Sequence, residues 1–177
     1  MPHNDIETDK AEILGIINLY GFALDAHQWG LFDEIFTGYV VSEFGPAGSE
    51  WLGLPTLVAA FKDFHEQLDN HSHTMFGTVV HVDDDTANAF TYGNWLLVRN
   101  DAGEDPSWLG SGWYDDELVR TEDGWRISHR ICRLVSWTGN PVVSSPARPH
   151  NPDMRTNVLR EHAAAVEVMY LNALGVR

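Results

Sequence analysis

Apolar residues recur at helical spacing near the start of the chain, at Leu14, Ile17, Gly21 and Leu24. The pattern predicts an amphipathic helix that is capped at Thr8 or Asp9 and runs to about Ala26. Glu12, three residues after Asp9, completes the spacing of a capping box. Trp29–Phe36 reads as a second short helix, Tyr39–Phe44 as a strand, and Gly45–Gly53 as a loop. Pro55 opens a third helix carrying Leu57, Val58, Phe61, Phe64 and Leu68. The period then changes from helical to two. His73–Val82, Thr86–Arg99, Trp108–Arg120 and Trp125–Trp137 read as strands joined by turns at Asp83–Asp85 and Thr121–Gly124 and by a loop at 100–107. From Thr138 a proline-rich tail is expected to wander over the surface, followed by a terminal helix over Met154–Leu174. Helices followed by antiparallel strands predict an α+β domain, a curved sheet wrapped around its N-terminal helices.

Alternation places His71, His73, Met75, Gly77, Val79 and His81 on one face of their strand, and Ser72, Thr74, Phe76, Thr78, Val80 and Val82 on the other. On the first helix Asp25 lies four residues after Gly21, close to the buried stripe. A carboxylate there is costly unless it is paired.

Composition narrows the function. With 177 residues, 44% hydrophobic content and seven tryptophans, the chain is a folded globule of one core. Eleven Lys and Arg against 26 Asp and Glu give a net charge of −15, which argues against nucleic acid and anionic membranes as partners. The lone Cys132 excludes an internal disulfide and a cysteine-rich metal site. The polar start MPHNDIETDK and the lack of a long apolar run lead to the expectation of a cytoplasmic protein.

Candidate chemistry centres on Asp25 and His73. An aspartate that orients a histidine is a simple cofactor-free device for taking a proton from carbon. His71 and His73 also form an H-x-H pair of the kind that ligates metals. No third histidine or carboxylate follows at a fixed strand spacing, so neither a metal nor another cofactor is expected. No phosphate-binding glycine loop and no Gly-x-Ser-x-Gly element is present.

Three stretches carry a resemblance: Tyr20-Gly-Phe-Ala-Leu-Asp25, Gly112–Arg120, and the Gly-Trp-Arg-Ile run at 124–127 leading to Arg130. Over about residues 8–137 the chain resembles the SnoaL-like branch of the nuclear transport factor 2 fold. That branch includes scytalone dehydratase, bile-acid 7α-dehydratase and hexachlorocyclohexane dehydrochlorinase. The resemblance implies a cone-shaped sheet, with residues 1–137 as the domain and 138–177 as an extension packing on it or on a neighbour. It implies Asp25 and His73 as a catalytic dyad, with Tyr20 and Arg130 as active-site residues. Asn94, Trp29, Trp113 and His71 are expected to contact substrate.

The resulting expectation is a cofactor-independent lyase, dehydratase or deformylase in type, acting on a small aromatic or alicyclic compound. The alternatives are an isomerase using the same base, a small-molecule binding protein, or a structural subunit like the β subunit of ring-hydroxylating dioxygenases. Related dehydratases imply a homotrimer.

Overall fold

The computed structural model describes residues 5–45, 50–144 and 156–175. Helix α1 (Ile6–Asp25) buries Ile13, Ile17, Tyr20 and Leu24, an i, i+4, i+7, i+11 stripe. Leu14 is instead 37% exposed, one residue out of phase with that stripe. Each large apolar side chain so buried contributes roughly 1.5–3 kcal/mol.

The expected capping box is not formed. Asp5 occupies the N-cap position without a side-chain cap bond. Asp9 instead ties the helix to the sheet. It is 3% exposed and accepts both Nη1 and Nη2 of Arg120, at 2.7 and 2.8 Å, and Nε1 of Trp125 at 3.2 Å.

After a 3₁₀ turn at Trp29–Leu31 comes a single turn of helix, α2 (Phe32–Ile35), and the chain then enters strand β1 (Phe36–Phe44). The predicted second helix is thus shorter, and its last residue belongs to the sheet. Part of the expected loop is an edge strand, β2 (Glu50–Leu52), paired antiparallel with β1. Helix α3 spans Leu54–His65, with Pro55 in its first turn.

Strands β3 (Asn70–Asp83), β4 (Thr86–Val98), β5 (Ser107–Thr121) and β6 (Gly124–Gly139) form an antiparallel meander. The six strands make one curved, unclosed sheet in the order β2-β1-β6-β5-β4-β3. The β1–β6 pairing is parallel, so the sheet is not antiparallel throughout. Its inner face packs on α1 and α3.

Strict alternation fails in β3. The register shifts between Phe76 and Val79, where Gly77 takes φ +62°. A bulge of this kind adds a residue and flips the phase beyond it. Val80 and Val82 therefore join the core, while Val79 is 44% exposed. The same shift takes His81 off the face that carries His71 and His73.

Beyond β6, Pro141–Ser144 forms a helical turn (α4) that buries Val143, so this part of the tail is anchored. The expected terminal helix is two short ones, α5 (Leu159–Ala164) and α6 (Met169–Ala173), interrupted where Val166 has φ +61°. Its predicted start at Met154 lies outside the described residues. Val168 and Leu159 pack on Phe90 and Trp113, covering part of the outer face of the sheet. No helix among the described residues is long and apolar enough to cross a membrane.

Candidate active site

Helix α1 crosses β3 at very close range. A Cβ placed on Gly21 would sit 2.9 Å from the carbonyl oxygen of His73, so only glycine permits this approach. One turn later the helix ends at Asp25, which is thereby delivered to the strand. Asp25 Oδ2 accepts the backbone N–H of His73 at 2.9 Å. Asp25 Oδ1 accepts Nδ1–H of His73 at 2.8 Å and lies 3.1 Å from Nδ1 of His71. With its Nδ1 proton held by the carboxylate, His73 carries its lone pair on Nε2.

Two further histidines complete the cluster. His27, at φ +51° just past the helix, places Nε2 2.8 Å from Nε2 of His71, with the two rings stacked. His65, the last residue of α3, gives its Nδ1–H to the carbonyl oxygen of Phe61 at 2.7 Å. Its ring lies 4.9 Å from that of His71 and 5.4 Å from that of His73. The third histidine absent from the strand spacing is thus supplied by a helix. Sequence reasoning missed it because α3 precedes the H-x-H pair. The one available signal was a histidine at the end of an otherwise apolar helical stripe.

Partial burial alone would raise the pKa of Asp25, but hydrogen bonds from His71 and His73 hold it well below the usual carboxylate range. Burial pushes His65 down to about 3, so its imidazole is neutral at ordinary pH.

The other predicted residues divide into two groups. Trp29 borders the cluster, its ring 5.2 Å from His27 and 6.1 Å from His65. It also lines an open cleft of about 480 Å³ with Gly38, Leu54, Pro55 and Val58, whose lining includes neither Asp25 nor His73. Tyr20 and Arg130 are fully buried in a separate polar layer. Arg130 grips Asp116 through two 2.7 Å bonds, and its guanidinium stacks 4.2 Å from the Tyr20 ring and 4.6 Å from the Tyr114 ring. Burial raises the Tyr20 pKa well above its ordinary value. Among the described residues neither side chain hydrogen-bonds to Asp25 or His73.

Asn94 and Trp113 do not face the site. Asn94 pairs with Ser111 in register and accepts its hydroxyl at 2.8 Å, on the outer face of the sheet. Trp113 lies on that face too, beneath Val168. The inward side chains are the next residues along, Trp95 and Tyr114, joined by a 2.6 Å hydrogen bond. A slip of one residue in a strand accounts for both corrections.

A family model for the SnoaL-like domain matches residues 7–131. The chain belongs to the SnoaL-like family. Rv2910c, an uncharacterized protein of Mycobacterium tuberculosis, is 29% identical over 125 residues, which cover 70% of this chain and 84% of that one. Among solved structures, Kfla4162 from Kribbella flavida is 27% identical with a TM-score of 0.72, covering 76% of this chain and 95% of that one. A putative scytalone dehydratase from Novosphingobium aromaticivorans is 17% identical with a TM-score of 0.66, over 74% and 87% of the two chains. That last likeness shows the fold alone.

Proposed function

We propose that the protein is a cofactor-independent lyase in which His73 takes a proton from carbon or from a hydroxyl, and Asp25 orients it. The observation that carries this reading is the double hold of Asp25 on His73, through backbone N–H and Nδ1–H together. The carboxylate fixes the tautomer, leaves the Nε2 lone pair for the substrate proton, and stabilises the imidazolium that forms. Similarity to a putative scytalone dehydratase supports elimination of water as the reaction type; loss of formaldehyde from a hydroxymethyl group begins from the same base. Arg130 contributes a donor: its Nη1 is buried with no hydrogen-bond partner, ready for a leaving group or developing anion. Tyr20, stacked on that guanidinium, holds it in place. Trp29 and His71 border the substrate, a small aromatic or alicyclic compound. Four side chains on the outer face, Phe76, Tyr92, Leu96 and Leu109, are each about two-fifths exposed or more, and neighbouring subunits of a homotrimer would cover them.

A mass-spectrometric turnover screen of EDTA-treated protein against hydroxylated aromatic and alicyclic compounds tests the reading. Loss of water or formaldehyde by wild type, absent in His73→Ala and reduced in Asp25→Asn, is the expected result. A product of unchanged mass would establish isomerisation instead. Full activity in His73→Ala would remove the proposed base.

A further inference from the structure

His65 has no evident reason to be a histidine. It is 3% exposed among aromatic rings, and its Nδ1–H is already committed to Phe61. That bond leaves the lone pair on Nε2, and Nε2 is buried without any hydrogen-bond partner. A buried acceptor with no donor carries a desolvation cost that a phenylalanine in the same place would avoid. Such an atom points to a ligand.

The surroundings say which kind. One ring nitrogen from each of His65, His71 and His73 lies within 4.8 Å of the other two. Three imidazoles bound to one zinc ion at 2.0–2.1 Å stand about 3.4 Å apart, so rotations that move each ring by about 1 Å close the site. The elements that deliver them are regular: two residues of one strand face and the last turn of a helix. Their partners match the usual supports of ligating histidines, a backbone carbonyl behind His65 and the Asp25 carboxylate behind His71 and His73; His71 Nε2 would exchange its 2.8 Å contact with His27 for the ion.

We propose that His65, His71 and His73 form a binding site for a divalent first-row transition ion of the zinc type, and that its occupancy silences the Asp25–His73 pair. Imidazole nitrogen selects such ions over calcium or magnesium. The silencing rests on the dyad reading above and follows whichever nitrogen of His73 is used. Ligation through Nε2 consumes the lone pair that takes the proton; ligation through Nδ1 displaces Asp25.

The test is a titration of EDTA-stripped protein with cobalt(II), followed in the visible spectrum. One saturable site per chain, with the intense bands of four- or five-coordinate cobalt, is expected. His65→Phe, which keeps the volume and removes the ligand, should weaken binding by about tenfold or more, with far-ultraviolet circular dichroism verifying its fold. No saturable binding by wild type, or equal affinity in folded His65→Phe, would overturn the site. With a substrate from the turnover screen, one equivalent of zinc should abolish activity and EDTA restore it. Activation by zinc would overturn the silencing while leaving the site. Cobalt binding in a protein that is inactive when stripped would uphold the metal site and reject the dyad.

Discussion

Asp25 holds His73 at two points, taking the backbone N–H on Oδ2 at 2.9 Å and the imidazole Nδ1–H on Oδ1 at 2.8 Å. The carboxylate therefore sets both where the strand lies and which ring nitrogen carries the proton. Asp25→Asn keeps the size of the side chain but cannot serve both roles as an acceptor. It should lower kcat/KM by about 10²–10⁴-fold, and His73→Ala by a similar factor. Because the two act as a unit, the double variant should be little worse than the more damaged single one. Steady-state kinetics on a substrate from the screen decides; multiplicative losses would mean that the residues work independently.

Arg130 and Asp116 are both wholly enclosed, and Asp116 takes Nε and Nη2 of Arg130 while Nη1 stays unpaired among the described residues. Removing one partner strands a buried charge, so Arg130→Ala should destabilise the fold by about 3–5 kcal/mol. Arg130→Met with Asp116→Leu should recover much of that loss. Urea unfolding of the three variants checks this. Any activity lost with Arg130→Met/Asp116→Leu, once stability is restored, is then chemical in origin.

Asp115 fastens the C-terminal segment, accepting the backbone N–H groups of Met169 at 2.5 Å and Tyr170 at 3.0 Å at the start of α6. Burial pushes its pKa up to about 6 from 3.8. Between those values the folded state keeps a proton that the unfolded state has released, so this contribution to stability is full below about pH 3.8 and falls as pH rises to about 6. The stability of wild type relative to Asp115→Asn should therefore decline over that interval and level off above it. Asp115→Ala should expose residues 156–175 to limited proteolysis at neutral pH, at a cost of about 1–2 kcal/mol.

Sedimentation equilibrium should give a trimer, and Tyr92→Glu with Leu96→Glu should shift it toward monomer by burying charge in the contact. A wild-type monomer at micromolar concentration would remove the proposed role of the outer face.

How much of this was legible in the sequence depended on whether a feature was local. The period-3.6 and period-2 stretches gave α1, α3 and the four-strand meander, because side-chain alternation is a property of the chain itself. The meeting of Asp25 and His73 was legible through resemblance. Its cause, the close crossing at Gly21, is a contact between distant segments. The bulge at Gly77 was invisible to a strict alternation rule, and it reversed the faces of Val79 and Val80. His65 was passed over because the ligand geometry that includes it is spatial: a helix end set against a strand. Asn94 and Trp113 failed for a simpler reason, since a one-residue offset exchanges inner and outer faces. The single terminal helix gave way to two because the chain turns at Val166 to lay Val168 on Trp113.

The first helix carries an acid near each end. Asp9 is locked to Arg120 of β5, and Asp25 to His73 of β3; sixteen residues of helix separate them by about 24 Å. The helix thus behaves as a beam clamped at both supports, across strands on either side of β4. Its length, set by the backbone, becomes the gauge that aligns Asp25 with its histidine. Damage at the Asp9 clamp would reach the dyad as a mechanical error, a change of pitch or tilt, without any change in the groups that meet there.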